Sequence, residues 1–305
     1  MKKYPALSWL LPGIAIAVCG CSQGGGDDAL PSVVPSTPQG GRKAISISAV
    51  PTRVTDTAFE QGDAVGLFVV NRAADGSAQP LKVDGNQVDN MRFTYGDGWT
   101  PDKLVYWKDA GTHADFYLYH PFEASVGSVS AMPFGVRADQ DTIAAHKASD
   151  LLVGVAKDVA PTESPVGINA RHVMSRMVIK LAAGEGFDGQ ELVAGDVGVA
   201  VNGLRTNATI DIATAAVTPV GQAVAMTPCK VGEGYEVFVV PQAVDGENLI
   251  TVACGGVEYN FTKAMSFESG AAYTFTVTLA KESYGMNVGV TKWDDDGVDY
   301  GGVAE

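Results

Sequence analysis

Histidine is scarce in this chain: there are four, at positions 113, 120, 146 and 172, with neither an HExxH spacing nor a cysteine pair beside them. That excludes the usual zinc signatures, and no Gly-x-Ser-x-Gly elbow supplies a nucleophile for a histidine to activate. Cysteine is equally sparse. Cys19 and Cys21 sit close to the start, leaving Cys229 and Cys254 in the body of the chain, too few for a ligand cluster. This pair reads either as a disulfide closing a loop of about 26 residues or as two small buried hydrophobes. Positive charge is in deficit, with 21 Lys and Arg against 35 Asp and Glu, a net charge of −14 and a pI near 4.6. Such a chain repels phosphates, which excludes nucleic acid and anionic lipid surfaces as partners of the folded part. Helical periodicity is rare too; "DQDTIAAHKASDLL" (139–152) is the best stretch, and it is short. No catalytic, cofactor or metal site is expected.

The first residues do carry an address. Lys2 and Lys3 precede "ALSWLLPGIAIAV", an apolar run of 13 residues broken by Pro12 and Gly13, which is an export signal and too short for a spanning helix. In "VCGC", Gly20 gives Cys21 the small preceding residue that a lipoprotein signal peptidase requires, whereas Val18 denies it to Cys19. The stretch therefore resembles a bacterial lipobox, with residues 1–20 removed and Cys21 acylated. Several acyl chains on one residue make a stable membrane anchor. Residues 21–43 follow as a tether with five glycines and three prolines and no apolar period. Asp27 and Asp28 within it resemble a surface-export signal of bacterial lipoproteins.

Alternation with period two dominates the rest. "AISISAV" (44–50) puts Ile45, Ile47 and Ala49 on one face, and "YTFTVTL" (273–279) sets Tyr273, Phe275, Val277 and Leu279 against three threonines. "YEVFVV", "VEYNFT" and "MNVGV" repeat the pattern. Many short strands separated by Gly, Asn and Asp predict an all-β chain of antiparallel β-sandwiches. The Gly-rich, acidic "GEGFDG" (184–189) suggests a division, giving units of 44–182 and 183–305. "GEGFDG" also matches a dinucleotide fingerprint. Glu185 and Asp188 would oppose a pyrophosphate, however, and no amphipathic helix follows, so the match is fortuitous. "WDDDGVD" (293–299) lacks EF-hand spacing and reads as a solvated acidic stretch. Trp99, Trp107, Tyr117 and Tyr119 would suit a sugar site, but their alternation in strand-like runs favours packing within and between sheets.

Several phrases taken in order resemble the fimbrillin family, the Mfa-like and FimA-like lipoprotein pilins of type V pili. They are "TRVTDTAFEQGDAVGLFV" (52–69), "YWKDAGTHADFYLYHP" (106–121), "DLLVG" (150–154), "HVMSRMVIKL" (172–181), "YEVFVVPQAVDGENLITVACGG" (235–256) and "FESGAAYTFTVTL" (267–279). The resemblance implies two tandem Greek-key, transthyretin-like β-sandwich domains. It implies outer-membrane anchoring by lipid, palmitate included, then cleavage by an extracellular arginine-specific protease in the loop after the first strand. It further implies polymerisation with other pilin subunits into a surface fimbrium by donor-strand exchange, in support of adhesion. On this sequence the expected cut follows Arg53 in "PTRVTD"; Arg42, ahead of the strand, is the alternative. The removable strand carries Ile45, Ile47 and Ala49. The donor strand lies in "MNVGVTKW", with Met286, Val288 and Val290 on one face. A second reading keeps the anchor and makes the chain a surface glycan-binding lipoprotein, with no catalytic activity.

Overall fold

A computed structural model describes residues 42–51, 59–187, 192 and 197–280, and for backbone pairing alone also 286–293 and 299–303. The leader, Gly20, Cys21, the tether up to residue 41 and Arg53 lie outside the described residues, as do the side chains of Met286, Val288 and Val290. The described residues fall within one compact unit.

Among the described residues the fold is all-β in three sheets. The first has seven strands in the order β1 (Ile47–Pro51), β8 (Val166–His172), β7 (Leu152–Val159), β5 (Ala114–His120), β2 (Ala64–Asn71), β3 (Val88–Tyr95) and β4 (Trp99–Pro101). The second runs β11 (Val217–Met226), β10 (Val197–Ile210), β14 (Ala243–Cys254), β15 (Val257–Ser266), with β6 (Met132–Gly135) added to β10. The third runs β12 (Cys229–Val231), β13 (Gly234–Val239), β9 (Ser175–Ala183), β16 (Ala272–Leu279), β17 (Met286–Trp293) and β18 (Asp299–Val303). A short helix, α1 (Ile143–Lys147), lies in the expected stretch; the Thr142 side chain caps it by accepting from the Ala145 N–H.

The alternating strands behave as the pattern dictates. In β16, Tyr273, Phe275, Val277 and Leu279 are buried while the residues between them are not. β2 and β5 instead bury nearly every residue, because both faces of the first sheet are covered. Val65, Leu67, Val69, Phe116 and Leu118 face one hydrophobic cluster, held within the first sheet. Phe68, Val70, Tyr117 and Tyr119 face a larger one, shared with β9, β10, β14 and β16.

One expectation needs correcting. The sheets are mixed rather than antiparallel throughout: β1 pairs parallel with β8, and β16 parallel with β9. Parallel pairs need a long crossover, and both pairs join segments far apart in the chain. "MVIKLAA", the stretch that ends the first predicted unit, lies in β9 between β13 and β16 of the third sheet. The chain therefore leaves the first sheet at Val173 and Met174, between β8 and β9. The reason is local: Val173 and Met174 are buried in the shared cluster, so the crossing is apolar and carries none of the Gly and Asp that mark a linker.

Candidate functional site

The candidate functional region is built around β1. Its serines face away while Ile45, Ile47 and Ala49 point inward, with 4%, 5% and 8% of their surface exposed. All three belong to the cluster inside the first sheet, together with Leu67, Phe93, Trp107, Phe116 and Ile168. β1 runs beside β8 in register, Ile47 opposite Val166 through Pro51 opposite Ala170.

The stretch just before β1 pairs elsewhere. The Ile45 N–H donates to Val105 O at 2.9 Å, the Trp107 N–H donates to Lys43 O at 3.0 Å, and Ala44 bridges Tyr106 antiparallel. Residues 105–107 follow β4, which is the last strand of the sheet order, whereas β8 stands at the other end beside β1. The stretch 43–51 therefore supplies one end strand of the seven-stranded sheet and, just before it, pairs with the segment that follows the other end strand, which brings the sheet close to a closed barrel. Closure is the geometric way to remove exposed strand edges. Lys43 Nζ donates to Pro161 O at 3.4 Å and adds a polar tie beside the seam.

β17 sits on the third sheet, antiparallel to β16, with Met286 opposite Leu279, Val288 opposite Val277 and Val290 opposite Phe275. The predicted donor stretch is thus a strand near that sheet's edge, separated from open backbone only by β18. Arg42 is exposed immediately before the seam.

Other predicted candidates are dispersed. Cys229 lies in β12 of the third sheet and Cys254 ends β14 of the second; both are buried and unbridged, so the disulfide alternative is not what the structure contains. Burial pushes the Cys229 thiol pKa up, and the carboxylates of Glu236 and Asp141 add to the effect. The four histidines are separate. His113 pairs with Asp158 at 2.9 Å, His120 meets Ala64 O at 2.9 Å, His146 stacks on Phe238, and His172 pairs with Asp150 at 2.8 Å. Among the described residues no group of three His, Cys, Asp or Glu converges as metal ligands.

The aromatics are packed away. Trp107, Tyr117 and Tyr119 are 1%, 3% and 0% exposed, and Trp99 leans on Phe59 and Tyr95 with ring centroids 4.8 and 5.1 Å apart. The three buried rings offer no open face to a sugar, and Trp99 is half-buried. Sequence reasoning missed the partner of the seam, residues 105–107. The one signal was the alternation of Val105 and Trp107 around Tyr106, and three residues are too few to read as a strand.

A family model described as fimbrillin-like matches residues 52–293. The chain is 24% identical over 314 residues to the "Putative fimbrium subunit Fim1C" of Bacteroides uniformis, covering 96% of each protein. Among solved structures it resembles a "putative cell adhesion protein" from Bacteroides uniformis, with a TM-score of 0.66 and 19% identity over 85% of this chain and 99% of that one. A second "putative cell adhesion protein", from Bacteroides ovatus, gives a TM-score of 0.63 and 18% identity over 87% and 98%.

Proposed function

The chain belongs to the fimbrillin-like family, a structural family rather than an enzymatic one, and from that premise we propose that it is a subunit of a cell-surface fimbrium, built to exchange one strand with a neighbour. It leaves the cell as an outer-membrane lipoprotein anchored through Cys21, with Gly20 ending the signal peptide. A surface arginine-specific protease cuts after Arg53, and Arg42 is the alternative cut. Loss of the segment carrying Ile45, Ile47 and Ala49 opens the first sheet along its seam. A neighbouring subunit fills the gap with Met286, Val288 and Val290 of its C-terminal region, and other pilin subunits are the partners of the folded part. The two halves of this fimbrial protein are then read as a strand-accepting unit and a strand-giving unit, each with a sandwich of the Greek-key, transthyretin-like kind.

The observation that carries this reading is the seam itself. A short N-terminal stretch holds both ends of one sheet and covers its apolar interior with side chains on alternate positions. Such a slot takes any strand that repeats the alternation: main-chain hydrogen bonds supply strength and the inward pockets supply register. The burial of Trp107, Tyr117 and Tyr119 counts against the glycan-binding alternative. The test is the N-terminal sequence of subunits in fibres sheared from cells. The reading expects Val54 as the first residue; fibres whose chains still begin at Cys21 contradict it.

A further inference from the structure

The open edge of the second sheet carries a contact that the seam does not use: we propose that two copies of this chain pair antiparallel, edge to edge, through residues 222–226 of β11. The second sheets of the two copies then run on as one sheet across a two-fold axis. No strand is displaced and no peptide bond is cut, so the contact is independent of strand exchange.

Three observations carry this. First, among the described residues β11 pairs with β10 alone, so its outer row of N–H and C=O groups is open. Proteins guard such edges with charge, proline or a bulge. The upstream half of β11 has two of these guards. Pro219 lacks an N–H, and an extra β11 residue enters near Gly221 (φ 82°), between Ala223 opposite Arg205 and Val220 opposite Asn207. The downstream half, "QAVAM" (222–226), carries neither charge nor proline. The register shift there takes its extra residue from β10, between Val201 and Leu204, and leaves β11 continuous. Second, the side chains of this half are unfinished packing. Val224 stands opposite Leu204, on the row that faces the core; Leu204 is fully buried, yet Val224 keeps 40% of its surface exposed. Ala223 and Ala225, on the other face, are exposed as well. Small apolar side chains let a second backbone approach to the strand-pairing distance of about 4.8 Å. Third, charge selects the occupant. A net charge of −14 opposes self-association, but Ile212 to Cys229 holds no charged residue. The opposite edge of the same sheet, β15, carries Glu258 and Lys263, and β12 carries Lys230. Arg205, opposite Ala223, lies one strand back from the β11 edge. A charged partner gains nothing at 222–226, whereas an identical neutral strand meets matching backbone groups without repulsion.

The consequence is lateral. A short edge contact buries less than the roughly 1,200–2,000 Å² of stable complexes, so it holds two separate chains weakly. Chains already joined in a row present it repeatedly, and the combined contacts hold two rows side by side. This consequence rests on the fimbrial reading above; the pairing itself does not.

The experiment uses the uncut mature chain made without lipid (Cys21→Ser), followed by sedimentation equilibrium up to about 1 mM, which registers association far weaker than micromolar. The expected result is conversion of monomer to dimer as the concentration rises. Val224→Lys sets like charges across the two-fold axis and is expected to weaken association by at least about tenfold, and Val224→Glu does the same. An equal mixture of the two variants is expected to associate again, which a folding defect would not produce. Thr262→Lys, on the β15 edge, is expected to leave association unchanged. A parent chain that stays monomeric to about 1 mM overturns the inference. So does a dimer that Val224→Lys leaves intact, that the mixture fails to restore, or that Thr262→Lys weakens equally. If the parent is monomeric and only a chain beginning at Arg42 pairs, the segment ahead of residue 42 occupies β11 and the inference is overturned as well. The chain is uncut throughout, so failure here leaves the strand-exchange reading standing.

Discussion

Ile47→Ala is the substitution whose outcome the seam determines most closely. Ile47 is 5% exposed and lies in the same cluster as Leu67, Phe116 and Ile168, on a strand that pairs with β8 and is tied at its upstream end to 105–107. Removing a buried isoleucine side chain to the β-carbon costs about 2–5 kcal/mol, and the value depends on how far the site collapses. Here the flanking backbone is pinned by the 105–107 bridge on one side and β8 on the other, so little collapse is expected and the cost is about 3 kcal/mol. Ser48 is exposed on the opposite face, and Ser48→Ala is expected to stay within about 0.5 kcal/mol of the parent. Urea unfolding followed by tryptophan emission measures the totals, with an unchanged slope required for the comparison. Native-state hydrogen exchange then locates the loss. The Ile45, Trp107 and Val166 N–H groups donate across the seam, to Val105, Lys43 and Ser46. If the seam opens as a local unit, these three groups share one opening free energy, lower than that of Phe275 on β16, and Ile47→Ala speeds all three together by about 100-fold, the equivalent of about 3 kcal/mol. Seam groups that exchange in the parent only with the opening free energy of Phe275, or that Ile47→Ala does not speed together, refute the idea that β1 opens as a unit.

Three further outcomes follow from the same structure. A β-carbon added at Gly66 would lie 2.2 Å from Tyr119 Cε1 and 2.6 Å from Asn90 Oδ1, so Gly66→Ala must push the ring aside and is expected to cost about 1–3 kcal/mol in chemical denaturation. Tyr119 donates to Asn90 Oδ1 at 2.8 Å, and burial raises its phenol pKa to about 12. A raised phenol keeps its proton in the folded chain while the unfolded chain loses it. This contribution to stability is therefore complete below about pH 10 and declines as the pH rises toward 12; Tyr119→Phe removes that part of the alkaline slope. Cys229 and Cys254 are both buried thiols, so a thiol reagent is expected to label neither in the native chain and both after denaturation without reductant. Recovery of a linked peptide pair would contradict the separate positions of the two cysteines.

Much of this fold is written in local periodicity. "YTFTVTL" yields the buried row of β16 directly, and "AISISAV" names the three inward residues of the seam, because a half-buried strand must alternate. β2 and β5 lack that alternation, since Phe68 and Tyr117 serve one cluster while Leu67 and Phe116 serve another. What the sequence hides is pairing between distant segments. Nothing near "AISISAV" says that it runs parallel to β8, more than a hundred residues later, or that 105–107 closes on its other side. Nor does the sequence mark the passage from the first sheet to the third, which occurs at the apolar Val173 and Met174 rather than at a turn. The aromatics were legible as packing residues because Trp107 and Tyr119 sit in apolar surroundings that burial would require.

The most direct test of strand exchange is Arg53→Gln in the cells that make the fimbrium, with surface filaments counted by electron microscopy and the subunit's N-terminus read in parallel. The account predicts that filaments containing this subunit disappear while the uncut chain accumulates on the outer membrane. Normal filaments built from chains that retain Ile45 and Ile47 would contradict it.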